Sequence, residues 1–223
     1  MDFSQLYKAF EKHSDSDVAQ WMHRYMRGLF DFYGIKQPLR HKIQKNYWQT
    51  YGYPSINGLD IALDLLWSHP KREAQYTAMD LIGIFIDRVD IKFINTLQKL
   101  ITTKSWWDTV DILAAKYVYM FFERFPEVED KFFSIWLAAN DIWLNRTAII
   151  YQLRRKIKTD TDKLAQAILQ HKDNPEFFIQ KAIGWALREY SKTDKDFVIQ
   201  FVEKYDLSQL SRREALRYLN RKK

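Results

Sequence analysis

Four residues, Tyr76, Asp111, Arg146 and Lys181, stand 35 residues apart, each inside a helix-like segment. The segments read REAQYTAMDLIG, SWWDTVDILAAKY, DIWLNRTAIIYQL and FFIQKAIGWALREY. A fixed period of that size marks stacked helical repeats, in which one position per repeat turns to the same side. Trp107 comes four residues before Asp111 and Trp185 four after Lys181, and residues four apart share a helix face. The ladder therefore predicts one surface that gathers two indoles, a carboxylate, a guanidinium and an ammonium. That mixture is foreign to the wall of a core.

The rest of the chain fits the same scheme. Apolar residues recur at three- and four-residue steps. They predict helices over 3–13, 16–31, 38–51, 57–68, 71–87, 91–102, 106–124, 127–138, 141–157, 161–171, 176–191, 195–205 and 209–221. Only 6 Gly and 5 Pro occur, too few for a many-stranded sandwich with frequent turns. Pro38, Pro70, Pro126 and Pro175 fall at or just before helix starts, where a missing N–H costs nothing. Asp141 and Asn174 offer N-caps. No segment alternates with period two over strand length. The expectation is one all-α domain over 1–223, a HEAT-like solenoid of about six antiparallel helix pairs with a concave binding face.

Composition narrows the chemistry. Cysteine is absent, which removes disulfides, thiolate zinc ligands and a thiol nucleophile. His13, His23, His41, His69 and His171 are scattered without metal-ligand spacing, so no metal and no cofactor are expected. There is neither a phosphate-cradling glycine loop nor a GxSxG elbow. The start MDFSQLYKAFEKH has no signal-peptide core, and no apolar run nears the ~20 residues of a membrane span. The chain reads as a cytoplasmic monomer. Its net charge is +7, and from Tyr205 to Lys223 six Lys/Arg face two acids. Basic charge with 16% aromatic residues suits a phosphate backbone and stacking surfaces, and equally suits a basic protein with a charged tail.

Residue by residue, two readings compete. Tryptophans in helical repeats are mostly core, and Trp21, Trp48, Trp67, Trp106, Trp136 and Trp143 are assigned there. Asp111 and Arg146, one repeat apart, can carry chemistry or simply form an inter-repeat ion pair. Arg188 can clamp a phosphate or partner a neighbouring acid. His41 extends the ladder by one rung but is mostly neutral at pH 7. Glu73 and Asp80 read as surface or helix-start charges. Asp108, off the ladder, is expected to be silent.

Three stretches carry a resemblance: TTKSWWDTVD (102–111), NDIWLNRTAIIYQL (140–153) and FFIQKAIGWALREY (177–190). They resemble the AlkD-type DNA alkylation repair family, HEAT-like-repeat glycosylases that remove alkylated purines, and the likeness runs from MHRYMRGLF (22–30) to SRREALRYL (211–219). The resemblance implies that Trp107, Asp111, Arg146 and Trp185 line the lesion site. It also implies double-stranded DNA with alkylated purines as partner, nucleoid association when bound, and Tyr25 near the duplex on the second helix. Alkylation at N3 or N7 makes the purine cationic, so it departs as a neutral molecule without a general acid. What needs stabilising is the oxocarbenium-like sugar, and Asp111 suits that task and the aiming of water. Trp107 and Trp185 can hold a cationic partner by cation–π contact, worth roughly 0.5–2 kcal/mol each. Arg146, Lys181, Tyr76 and Arg188 are the expected DNA contacts, with Arg146 able to grip phosphate bidentately. The resemblance further implies a target not enclosed in a deep pocket, unlike most base-flipping enzymes.

Two alternatives stay open: a DNA-binding relative with weak or no excision, and a HEAT-type protein-interaction scaffold. The scaffold predicts an acidic or peptide partner and no salt-steep binding to duplex DNA.

Overall fold

The computed structural model describes residues 2–220. Arg221, Lys222 and Lys223, which end the expected last helix and supply three of the six tail cations, lie outside the described residues. Among the described residues the chain is all-α, with a lone bridge between Asp31 and Lys71 and no strand. No helix among them is long and apolar enough to cross a membrane. The helices form two compact units, Met1–Val89 and Asp90–Lys223.

The first unit holds α1 (Ser4–Lys12), α2 (Ser16–Tyr25), α3 (Gln37–Tyr51), α4 (Leu59–Ser68) and α5 (Arg72–Phe85). Its core is built from α1, α3, α4 and α5, with Leu6, Phe10, Trp48, Leu63, Ala78 and Ile82 all buried, and α5 is buried on nearly every side. Helix α2 is the exception, because none of its residues is buried. It also ends six residues earlier than the apolar pattern predicts. Arg27 and Gly28 take positive φ, and the Gly28 N–H bonds back to the His23 carbonyl at 2.9 Å, a helix-ending arrangement. Trp21, assigned to the core from sequence, is 56% exposed and stacks on Tyr25 at 5.4 Å.

The link from α2 to α3 is held from below. Glu73, read as a surface or helix-start charge, does stand in the first turn of α5 but is fully buried, and its carboxylate accepts the backbone N–H groups of Tyr33, Gly34 and Ile35 at 2.9–3.1 Å. Three donors satisfy a charge that burial would otherwise make costly. Gly34 has φ +86, and a Cβ there would meet the Asp15 carbonyl oxygen at 2.1 Å. Asp80 is not a lone surface charge either, since it receives Arg40 at 3.1 Å and lies 3.3 Å from His41.

The second unit holds α6 (Phe93–Thr102), α7 (Trp107–Ile112), α8 (Tyr119–Arg124), α9 (Glu129–Leu137), α10 (Ile142–Ile150), α11 (Thr161–His171), α12 (Phe177–Tyr190), α13 (Lys195–Lys204) and α14 (Gln209–Leu216). Helix α10 packs on both α7 and α12, so the helices that carry Asp111, Arg146 and Lys181 are neighbours. The expected helix 106–124 is interrupted by a π-helical stretch, Leu113–Val118, between α7 and α8. The expected helix 141–157 passes into 3₁₀ turns after Ile150. Asp141 caps α10, accepting from Trp143 and Leu144 N–H. Asn174 does not cap α12. It takes the Glu176 N–H at 2.9 Å, one turn short of the helix.

Candidate functional site

Three of the four rungs, Asp111, Arg146 and Lys181, meet in the second unit. Trp107, Asp111, Arg146, Lys181, Trp185 and Arg188 line one cleft of about 280 Å³, together with Phe177, Phe178 and Glu214. Tyr25 and Tyr76 belong to the first unit. Tyr25 is 57% exposed beside Trp21, and Tyr76 is half-buried with the Arg40 guanidinium 5.0 Å from its ring centre.

At the centre of the cleft is an ion pair. Arg146 Nε donates to one oxygen of Asp111 at 2.7 Å and Nη2 to the other at 2.9 Å, while Nη1 donates to the Phe178 carbonyl at 2.5 Å. Arg146 is 4% exposed. All three donor atoms are thus engaged inside the protein, and the expected bidentate grip on phosphate is replaced by a bidentate grip on Asp111. The period explains it: 35 residues bring the two side chains to equivalent points on adjacent helices. A buried guanidinium needs a satisfied fork more than a solvated ligand.

Asp111 keeps some solvent access at 18% of its side chain. Burial pushes its carboxyl above the usual carboxylate range, against the pull of the Arg146 hydrogen bonds and charge, and the Asp108 charge adds to the rise. Asp108 is buried in the first turn of α7, close enough for its charge to act on Asp111. Beneath the pair lies an aromatic triangle. Trp106 and Trp143 both contact Phe178, at 4.9 and 5.1 Å between ring centres, and Trp106 lies 5.7 Å from Trp143. Trp107 and Trp185 are half-buried at the rim, with indole surface turned to the cleft.

The far wall is a cluster around Glu214, which sequence reasoning missed. Its carboxylate receives Lys181 Nζ at 3.0 Å and Arg188 Nη1 at 2.5 Å, with Arg217 at 3.7 Å. Burial raises the Glu214 pKa, but Lys181, Arg188 and Arg217 together outweigh this and hold it below the usual range. Of the two readings of Arg188, the structure has it beside an acid. Phe178 was also missed, although it stands 35 residues after Trp143 and so belongs to a second, aromatic ladder. Among the described residues no group of three or more His, Cys, Asp or Glu is arranged to hold a metal ion.

These features define an all-helical protein whose adjacent helices present a carboxylate–guanidinium pair between indoles, in a basic cleft. The family described as DNA alkylation repair enzyme matches residues 6–219, nearly the whole chain, and the protein belongs to that family. A solved structure, a predicted DNA alkylation repair enzyme from Enterococcus faecalis, is similar with a TM-score of 0.86 and 31% sequence identity, over 94% of this chain and 98% of that one. No match is found among curated proteins.

Proposed function

We propose that this protein is a DNA glycosylase that hydrolyses the N-glycosidic bond of N3- or N7-alkylated purines in duplex DNA, acting as a monomer and as one functional domain. The observation that carries the reading is the Asp111–Arg146 pair set between Trp107 and Trp185 in an open cleft. A cationic purine needs no proton to leave. When the bond from C1′ to the purine nitrogen breaks, its electron pair neutralises the base, and positive charge develops on the sugar. The ionised Asp111, with only 18% of its side chain exposed, opposes that charge. A water aimed by the same carboxylate adds to C1′, and its proton passes to Asp111 or to solvent.

Arg146 acts here as a positioning residue. Its fork fixes both carboxylate oxygens and leaves each with a lone pair directed outward. The indoles of Trp107 and Trp185 hold the cationic sugar or base by face contact. Lys181 and Arg188, held at the cleft edge by Glu214, supply positive charge for the flanking backbone, and Tyr25 and Tyr76 are further DNA contacts. Selectivity follows from leaving-group chemistry, because a neutral normal base departs poorly. The test is release of 7-methylguanine or 3-methyladenine from alkylated duplex, with untreated duplex as control. Release from the alkylated strand alone is expected, and absence of any release refutes the reading.

A further inference from the structure

A second cleft, of about 220 Å³, opens beside the first and shares Arg188 with it. Its walls are Arg188, Lys192, Arg217 and Tyr218. Lys192 lies over the Tyr218 ring, 6.0 Å from its centre. Two helix ends supply these residues, the last turn of α12 with the turn after it, and the turn that follows α14. Cations at helix C-termini are favoured by the helix dipole, which is the bland account of their presence. The local count goes beyond that account. Lys181, Arg188, Lys192 and Arg217 are four cations, and the carboxylates that pair with them are two, Glu214 and Glu189. An excess of two positive charges is left, and the Arg217 side chain is 61% exposed.

The arrangement suits an anion. Lys181 and Arg188 both reach the Glu214 carboxylate, so their charged ends converge there. Lys192 and Arg217 carry the positive charge on from Arg188 into the second hollow. We propose that the cleft formed by Arg188, Lys192, Arg217 and Tyr218 binds a backbone phosphodiester of the DNA strand that occupies the first cleft. The proposal rests on the reading that this chain holds duplex DNA.

The experiment uses the full chain and measures duplex affinity against salt concentration for the Lys192→Ala/Arg217→Ala double variant, on undamaged and alkylated DNA. Each phosphate contact contributes about 0.9 to the log–log slope, so the double variant, which loses the one phosphodiester held here, should bind both duplexes more weakly, with a slope shallower by about 0.9. Arg217→Gln alone should flatten it by no more than that. If these cations merely cap helices, their removal lowers the melting temperature and leaves the slope untouched, and that result overturns the proposal. A wild-type protein that binds DNA with a steep salt slope but releases no base would sink the glycosylase reading, while the variants still decide this one. Wild-type affinity indifferent to salt would end both.

Discussion

In the proposed reaction, Asp111 is the residue on which the chemistry turns. Asp111→Asn keeps the shape of the side chain and removes the charge that opposes the developing sugar cation. The single-turnover rate of base release should fall roughly 10²–10³-fold, the scale seen on removing one preorganised electrostatic group. Affinity for duplex DNA should hold or rise, because a carboxylate near phosphates is repulsive in the ground state. Asp196→Asn, on an exposed turn of α13, serves as the control in place of the coupled Asp108. Equal losses in both variants would remove the assigned role. The pH dependence has a definite sign. Burial raises the Asp111 pKa above its ordinary 3.8, and the proposed mechanism uses only the ionised form. Activity is therefore lost as pH falls through that raised value, and the residual activity of the Asn variant should lack this acid limb. A rate profile in which wild type and variant lose activity in parallel would assign the limb to another group.

Helix α12 sets the cleft through one small residue. A Cβ on Gly184 would come within 2.5 Å of the Glu214 Cβ and 2.9 Å of the Ser211 carbonyl oxygen, so glycine is what lets α14 lie against α12. Gly184→Ala should cost about 1–3 kcal/mol in denaturant unfolding, the usual penalty of overpacking, and should loosen the Glu214 cluster. A variant as stable as wild type would show that α14 can shift freely. On the same unit, Glu129 is buried and receives Tyr151 Oη at 2.8 Å, Arg155 Nη1 at 2.7 Å and Lys163 Nζ at 3.0 Å. Burial raises its pKa, but these partners reverse the effect and hold it down at about 2, against 4.5 ordinarily. A depressed carboxylate contributes stability that is complete above the unfolded value and lost as pH falls to the folded one. The melting temperature should therefore drop between about pH 4.5 and 2, and Glu129→Gln should flatten that drop. Identical profiles for the two proteins would contradict the linkage.

The sequence revealed these elements unevenly, for physical reasons. Asp111, Arg146, Lys181 and the two rim indoles were legible because a 35-residue period and a four-residue step fix faces without knowledge of the packing. Glu214 was not, since it falls 35 residues after the buried Ile179 and so occupies a core register, where a carboxylate gives no periodic signal. Leu113–Val118 contains no Gly or Pro, so nothing marks its π-helical turn. Glu73 is the helix-start charge that it looked like, but its burial was hidden because its three partners are backbone N–H groups of a distant loop. Trp21 looked like core because indole burial is a tendency of residue type, and α2 buries nothing.

For the whole molecule, the moderate net charge of +7 matters less than where it sits. Lys181→Ala should weaken binding of damaged and undamaged duplex alike and reduce the salt slope by about 0.9, since a phosphate contact carries no sequence information. Titrations at several salt concentrations read this directly, and an unchanged slope would mean that Glu214 alone uses that ammonium. The placement of the tryptophans has an optical consequence. Trp48, Trp67, Trp136 and Trp143 are sealed in the core, whereas Trp107 and Trp185 border the cleft with partial access to water. An indole's emission shifts to the blue as water leaves it and is quenched when a nucleobase stacks on it. The molecule therefore carries an intrinsic fluorescent gauge of its own occupancy, read against a constant blue background once the exposed Trp21 and the half-buried Trp106 are replaced by Phe.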